Sequence, residues 1–207
     1  MASTQTHNTA TAREIRLIVG LGNPGPEYAS TRHNAGFWFV EKLCEPTHAS
    51  LSPEQKFKGL AGNLSLGIHG TKSCRLLLPA TYMNRSGESI LAMTKFYDIR
   101  PEQVLVVHDE LDLPVGSIRI KFDGGHGGHN GLRDIIAKLN TKQFYRLRIG
   151  IGHPGNKDDV LNYVLHKPSV SDKNVIFTAI DHAIAVIPTL IEGNIEKATH
   201  QLHTETK

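Results

Sequence analysis

Short apolar runs recur along the chain and are separated by glycine, proline and polar residues. Runs of this length with turn-forming residues at their ends are typical of β-strands. The runs at 17–19 and 104–107 show no polar alternation, which suits strands that helices cover on both faces. We therefore predict strands at residues 16–21, 75–78, 104–107, 118–122 and 146–151.

Helical periodicity alternates with these runs, since apolar residues recur every three or four positions between them. Ser86 belongs to a residue type that caps helix N-termini, and Gly193 to a type that ends helices. We predict helices at residues 36–43, 86–97, 131–139, 171–191 and 194–203. Strands that alternate with helices in this way indicate the α/β fold class.

The composition is that of a globular protein, with 207 residues of which 39% are hydrophobic and 21% charged. A chain of this length supports one sizeable core, so we expect a single domain over 14–207 behind a flexible, polar tail at 1–13. No apolar stretch approaches the roughly 20 residues that span a bilayer. With no signal-like segment either, we expect a cytoplasmic protein without membrane association.

Residues 20–25 follow a predicted strand and match the dinucleotide-binding pattern G-x-G-x-x-G. Such a site needs a long helix directly after the glycines and an acidic residue about 20 positions later. Pro24 and Pro26 occupy the place of that helix, and Glu41 falls inside a helical pattern. We therefore interpret the segment as a turn that presents Asn23 beyond the end of a strand, where open α/β sheets build their sites.

Polar residues also follow other predicted strands. Asn84 comes after the second strand, and the sequence His-Asp-Glu at 108–110 comes after the third. His129 and Asn130 stand just before a predicted helix. A single such asparagine is usually a turn residue, but the repeated placement predicts one shared site.

His33 is the candidate general base of this site. It stands at a helix entrance, where backbone N–H groups disfavour the imidazolium and would help to keep the ring neutral. Asp109 is the best candidate for the carboxylate that fixes its tautomer, although a cap or a buried polar pair would explain both residues without chemistry. No G-x-S-x-G pattern is present and Cys44 lies in a helical pattern, so the nucleophile is expected to be water. Asparagine donors around a histidine suit acyl transfer to water.

A metal-dependent hydrolase is the alternative that the residues leave open. His108, Asp109, His126 and His129 could ligate an ion, but His126 and His129 lie on a glycine-rich loop at 124–131 and lack the helical H-E-x-x-H spacing. Backbone N–H groups after this loop could also meet an anion at the start of the next helix.

The net charge of +3 is mild, yet residues 119–148 are locally basic. Such a stretch could bind phosphate groups near the site or simply solubilise the surface, and composition does not decide between the two. Lys121 and Arg148 are the candidates for phosphate contacts. The basic residues of the stretch are Arg119, Lys121, Arg133, Lys138, Lys142, Arg146 and Arg148.

Taken in order, these motifs resemble the bacterial peptidyl-tRNA hydrolase family. The resemblance runs from about Ile15 to His203 and begins with the sequence LIVGLGNPG at 17–25. Several long motifs in one order are far more specific than a single short pattern. The matching segments are 17–25, 27–28, 31–36, 79–87, 108–114, 124–131 and 146–155.

This resemblance implies a single α/β domain with a twisted mixed β-sheet packed between α-helices. It also implies hydrolysis of the ester that joins a peptide to the 3′ end of tRNA, which recycles the tRNA. Peptidyl-tRNA is then the partner, no metal and no cofactor are needed, and we expect a monomer. A tRNA-binding or ribosome-rescue module without catalysis is the alternative, and it would leave the matched histidine, aspartate and asparagine without a task.

The resemblance assigns roles to individual residues. His33 matches the catalytic base, Asp109 the carboxylate that orients it, and Asn84 the side chain that stabilises the oxyanion and places the water. Asn23 and Asn130 match residues that hold substrate and water, Tyr28 and Met83 match residues that line the channel for the peptide and the 3′ end, and Asn34 matches a neighbour of the base. We also expect Asn34 and His129 to be among the substrate-binding residues.

Two further assignments concern the tRNA end. Lys121 and Arg148 match the basic pair taken to bind the tRNA 5′-phosphate, which gives the basic stretch a function. Departures from the family pattern are small, since Tyr82 stands where phenylalanine is also common and 1–13 lies outside the family core.

Overall fold

The computed structural model describes residues 14–66 and 72–204, and the predicted tail at 1–13 lies outside the described residues. It is a single α/β domain built on a seven-stranded sheet with the strand order β2-β3-β4-β1-β5-β7-β6. The strands are β1 (Leu17–Gly20), β2 (Leu51–Glu54), β3 (Gly59–Leu66), β4 (Lys72–Pro79), β5 (Val104–Glu110), β6 (Ile118–Phe122) and β7 (Tyr145–Gly150).

The sheet is mixed, as the resemblance implies. The central strands β4, β1, β5 and β7 are parallel to one another, so their carboxyl ends share one edge. The outer strands β2, β3 and β6 run antiparallel to the strands that they pair with. Parallel strands place the residues that follow them at the same edge, which is where α/β proteins build their sites.

Helices cover both faces of the sheet. Their bounds are α1 (Ala35–Thr47), α2 (Ser86–Phe96), α3 (Asn130–Leu139), α4 (Val160–Val164), α5 (Val170–Ala185), α6 (Ile187–Ile191) and α7 (Ile195–Thr204). The alternation of β1 shows the two layers. Ile18 packs in the cluster that includes α1, α5, α6 and α7, whereas Leu17 and Val19 pack in the cluster that includes α2 and α3. Within the described residues, no helix is both long and apolar enough to cross a membrane.

The five strands predicted from apolar runs are all present, but β2 and β3 were not predicted. In β3 the buried Leu64 and the half-exposed Leu60 alternate with glycine, asparagine and serine, so the segment has no apolar run. The short helix α4 was not predicted either.

The helix prediction was wrong in two details. The predicted helix at 171–191 is divided at Val186 into α5 and α6, because a proline is tolerated only in the first turn of a helix and Pro188 opens α6. Ser86 is the first residue of α2 and not its cap, since its hydroxyl donates to the carbonyl oxygen of Met83 at 2.9 Å. Gly193 does stand between α6 and α7, with a φ of 86°.

Two glycines allow the end of β1 and the start of α1 to touch. A Cβ on Gly36 would lie 2.3 Å from the carbonyl oxygen of Val107, and a Cβ on Gly20 would lie 2.2 Å from the carbonyl oxygen of Gly36. Side chains at either position would force the two elements apart. The first glycine of the G-x-G-x-x-G match therefore serves helix–strand packing, and this packing sets the position of the turn before α1, which carries His33.

Candidate active site

The candidate site lies at the shared carboxyl edge of the parallel strands. Asn23 follows β1, Asn84 follows β4 in a 3-10 turn, and Asp109 is the penultimate residue of β5. His33 lies in the 3-10 turn Arg32–Asn34 directly before α1, and His129 is the N-cap of α3. The fold thus brings together the polar clusters that the sequence placed at strand ends.

Asp109 is the centre of a buried hydrogen-bond network. Its Oδ1 lies 2.9 Å from Nδ1 of His33 and 3.1 Å from Nε2 of His129. Asp109 is 4% exposed. The ring centroids of His33 and His129 are 4.9 Å apart. The contact between His33 and Asp109 agrees with the sequence prediction, but the contact with His129 was not predicted. The sequence placed His129 in the shared polar site and in the candidate metal set with Asp109, but it did not indicate a direct hydrogen bond, because the 20-residue separation of the two residues is closed only by the fold.

The hydrogen bonds of His129 determine its tautomer. Its Nδ1 accepts the backbone N–H groups of Gly131 at 3.1 Å and Leu132 at 3.4 Å, so this nitrogen carries a lone pair. The proton of the neutral ring is then on Nε2, which donates it to Asp109. These two N–H groups at the start of α3 are therefore capped by His129, and the expectation that they meet an anion is wrong for them.

The pKa values of the central pair move in opposite directions. Burial disfavours the imidazolium of His33, but the charge of Asp109 and its hydrogen bond outweigh burial and raise the pKa of His33 above 6.5. Burial would raise the pKa of Asp109, but the two histidines hold it well below 3.8. The net shift in the pKa of His33 is therefore opposite to the one that the helix entrance alone would favour, because the contact with Asp109 dominates.

The asparagines beside this network fall into two groups. Asn34 makes a two-point contact with the backbone of Asn23: its Oδ1 accepts the N–H at 2.9 Å and its Nδ2 donates to the carbonyl oxygen at 3.0 Å. Oδ1 of Asn23 accepts the backbone N–H of Met83 at 2.7 Å, which leaves its Nδ2 as a donor. Asn84 and Asn130 are exposed, and neither side chain has a hydrogen-bond partner among the described residues.

The remaining predicted binding residues lie around this group. Met83 is 4% exposed, and a Cβ on Gly131 would lie 2.6 Å from its Sδ and 3.1 Å from Cε1 of His129, so the thioether lies next to the network. Tyr28 meets the exposed Tyr82 edge to face at 6.4 Å between ring centroids. These contacts place each of them at the same edge of the sheet, while their roles toward a substrate remain predictions.

The two predicted phosphate-binding residues lie on the β6–β7 pair, where Lys121 is opposite Arg146 and Arg148 is opposite Arg119. Lys121 and Arg119 are two positions apart on β6, so all four side chains share one face. Lys121 is exposed, and its Nζ lies 3.1 Å from the position of a Cβ on Gly124. Nε of Arg148 donates to Oε2 of Glu110 at 2.8 Å, so this cation has a carboxylate partner that the sequence did not indicate.

Arg146 has a different task from the other basic residues. It is 3% exposed and its guanidinium donates to the carbonyl oxygens of Gly124 and Gly125, which ties the glycine-rich loop to β7. Arg32 likewise donates to three carbonyl oxygens of the segment around α4, those of Tyr163, His166 and Lys167. Sequence reasoning assigned neither role, because an arginine that binds backbone carbonyls leaves no pattern in its neighbours.

The metal-binding set proposed from sequence does not assemble as predicted. His126 uses Nδ1 to accept the N–H of Gly128, and His108 uses Nδ1 to donate to the carbonyl oxygen of Asp109. Burial and the neighbouring His129 lower the pKa of His108 to about 3. Among the described residues, the group whose ligand atoms lie within 4.8 Å of one another is His33, Asp109 and His129.

Comparison with known proteins identifies close relatives. The family model described as peptidyl-tRNA hydrolase matches residues 17–207. A peptidyl-tRNA hydrolase of Methylobacillus flagellatus is 52% identical over 193 residues, which cover 93% of this chain and 98% of the relative. That of Pasteurella multocida is 54% identical over 191 residues, covering 92% and 97%. The crystal structure of the Acinetobacter baumannii enzyme superposes with a TM-score of 0.87 at 52% identity, covering 92% of this chain and 95% of that one.

Proposed function

The chain belongs to the peptidyl-tRNA hydrolase family, and from this premise we propose that it hydrolyses the ester of peptidyl-tRNA with a water molecule that His33 deprotonates. The hydrogen bond between His33 and Asp109 is the observation that carries this mechanism. Because Nδ1 of His33 donates to the carboxylate, the lone pair of the neutral ring is on Nε2. Nε2 has no partner among the described residues and is the atom that takes the proton of water.

Attack on the ester places negative charge on the carbonyl oxygen, and amide donors are suited to stabilise it. We assign this task to Nδ2 of Asn84, whose side chain has no hydrogen-bond partner among the described residues, with Asn23 and Asn130 holding the substrate and the water. Nδ2 of Asn23 is aimed by the hydrogen bond that its Oδ1 accepts from Met83, so it donates without reorganisation. Donors that are fixed before the reaction are the ones that lower its barrier most.

The tetrahedral intermediate then collapses with cleavage of the bond between the carbonyl carbon and the ribose oxygen at the tRNA 3′ end. The imidazolium of His33 returns its proton to this oxygen, so the tRNA leaves as a hydroxyl and the peptide as a carboxylic acid, which ionises by releasing its proton to solvent. Asp109 remains ionised throughout and stabilises the imidazolium, in keeping with its lowered pKa. His129 donates to the same oxygen of Asp109 and holds the carboxylate in place.

We propose that the reaction uses no metal. To ligate an ion beside Asp109, His129 would need its lone pair on Nε2 and its proton on Nδ1. That proton would point at the backbone N–H groups of Gly131 and Leu132, which now donate to Nδ1. The hydrogen-bond requirement of the α3 N-terminus therefore opposes coordination by this triad.

The tRNA is proposed to bind across the face that bears Lys121 and Arg148, with the 5′-phosphate between them. Arg148 is held by Glu110 through Nε, so its remaining N–H groups would meet the phosphate. We further propose that the protein acts in the cytoplasm, as a monomer, on peptidyl-tRNA released during translation.

Release of peptide from N-acetyl-aminoacyl-tRNA tests this function. Wild-type protein is compared with His33→Ala, and with His182→Ala as a control at an exposed position on α5. We expect a loss of about 10²-fold or more in kcat for His33→Ala and no change for the control. Exhaustive EDTA treatment should leave the wild-type rate unchanged, and a lost rate that Zn²⁺ restores would contradict the metal-free mechanism.

A further inference from the structure

A cavity with a volume of about 440 Å³ has Asn23 in its wall and is separate from the cavity that His33, Asp109 and His129 line. Its wall is largely apolar and is formed by the turn after β1, by α1 and by the adjoining ends of β3 and β4. Phe37 and Trp38 contribute from α1, and Leu60 and Leu78 from the strands. The indole N–H of Trp38 donates to the carbonyl oxygen of Ala29 at 2.8 Å, which fixes the rim of the cavity against the helix.

The cavity adjoins Asn23, the residue that is proposed to hold the substrate. Asn23 and Asn34, the pair joined by two hydrogen bonds, form part of its wall. When the ester carbonyl of a substrate lies near Asn23, a chain attached to that ester can therefore reach this cavity. The two chains attached to the ester are the peptide and the tRNA, so one of them is the natural occupant.

Charge distinguishes these two occupants. Among the described residues that form the wall, Glu41 provides a carboxylate and there is no lysine or arginine. Glu27 places a carboxylate oxygen 2.5 Å from the position of a Cβ on Gly25 at the rim. The cavity that contains His33 and Asp109 has groups of both signs, because Arg133 and Lys157 contribute to its wall together with the carboxylates of Glu110 and Asp112. An apolar cavity edged by carboxylates disfavours a phosphate backbone and suits an apolar side chain.

We propose that this cavity is a peptide subsite, which binds an apolar side chain of the peptide close to the ester and thereby gives the enzyme a preference among peptidyl-tRNAs. The proposal rests on the proposed function, since it takes the position of the ester from it. Phe37, Trp38 and Leu78 provide the contacts for the side chain. Leu60, which is 37% exposed, closes the outer wall.

The test compares two substrates on one tRNA, N-acetyl-Leu-Leu-Ala-tRNA and N-acetyl-Ser-Ser-Ala-tRNA. Burial of one leucine side chain predicts that wild-type kcat/KM is about tenfold higher for the leucine substrate. Ala29→Phe fills the cavity from an exposed rim position, and Leu60→Ser makes its outer wall polar. Both variants should reduce the ratio to about one while kcat/KM for the serine substrate is unchanged. Val170→Phe on α5, at a position that is 80% exposed, is the control that keeps the wild-type ratio.

Three results would overturn the subsite, and the first two are a wild-type ratio of one and a tenfold ratio that persists in Ala29→Phe. An equal loss for both substrates in Ala29→Phe would also overturn it, because the cavity would then hold a part that the substrates share, such as the terminal nucleoside. Failure of the proposed function is distinct from these results, since it would abolish release from the serine substrate by the wild-type protein as well.

Discussion

His129 and Asp109 lie 3.1 Å apart between Nε2 and Oδ1, and the same histidine caps α3 through Nδ1. One side chain thus links the N-terminus of a helix to the carboxylate that orients the proposed catalytic base. Because the two contacts use different ring nitrogens, a substitution can separate them.

His129→Asn and His129→Ala separate the structural role of this residue from its effect on Asp109. Asparagine is a good N-cap but is too short to reach the carboxylate, whereas alanine provides neither contact. We expect kcat to fall in both variants, and the free energy of unfolding to fall by about 1 kcal/mol in alanine but not in asparagine. Urea denaturation and single-turnover kinetics measure the two effects. Wild-type kcat in a stably folded His129→Asn would show that the contact with Asp109 has no part in catalysis.

Asn34 should act through Asn23 and not on the substrate directly. Asn34→Ala removes two buried hydrogen bonds and leaves the Asn23 backbone unsatisfied, which costs about 1–3 kcal/mol of stability. Asn23 would lose its fixed position, so we expect kcat/KM to fall for every peptide substrate. The matched variant Asn63→Ala changes an exposed asparagine of β3 and should alter neither quantity. Unchanged kcat/KM in a destabilised Asn34→Ala would confine its role to folding.

Lys121 is expected to bind a phosphate, so its removal should change the salt dependence of tRNA recognition. In Lys121→Ala the slope of log(kcat/KM) against log[salt] should decrease in magnitude by about one, while cleavage of a minimal ester without tRNA is retained. Lys197→Ala, at an exposed position of α7, is the control with the same change in charge. An identical slope in both variants and in wild type would remove Lys121 from the tRNA interface.

Gly36 is predicted to be intolerant of a side chain. A Cβ would lie 2.3 Å from backbone atoms of Leu21 and Val107, which belong to or directly follow the central strands and cannot move independently. Gly36→Ala should therefore lower the melting temperature markedly and reduce activity, because the turn with His33 is displaced with α1. Gly125→Ala is the matched control, since among the described residues no atom outside Gly125 and its two chain neighbours lies within 4 Å of the position that its Cβ would take. Equal melting temperatures for the two variants would refute this account of the close packing.

The sequence predicted the parts of this fold that are determined locally. The central strands are continuous apolar runs because helices cover both of their faces, and this covering leaves a pattern that can be recognised. The outer strand β3 was missed because it is exposed on alternate positions and pairs with β4 over a long register, which depends on the partner strand. The break of the predicted helix at 171–191 into α5 and α6 was also missed. Its position depends on where α5 ends in the packed structure relative to Pro188, which the local sequence does not specify.

In the candidate site too, the sequence predicted what local patterns determine and missed what depends on packing. Residue types and their position after strands predicted that His33, Asp109 and Asn23 would meet, because parallel strands bring their carboxyl ends together. The second histidine on Asp109, the Asn34–Asn23 pair and the Glu110 partner of Arg148 were not predicted. Each of these contacts depends on side-chain orientation in the packed structure, which no local pattern specifies.

The central claim is that His33 is the base and that Asp109 raises its pKa. Since the base must be neutral, kcat/KM should increase with pH up to a plateau, with a midpoint above 6.5 in the wild type. In Asp109→Asn the charge that favours the imidazolium is lost and burial remains, so the midpoint should move to lower pH while the plateau falls by about 10²-fold or more. The pH profile of kcat/KM for wild type and Asp109→Asn is the most direct measurement. A midpoint that stays in place or moves to higher pH in Asp109→Asn would contradict the account.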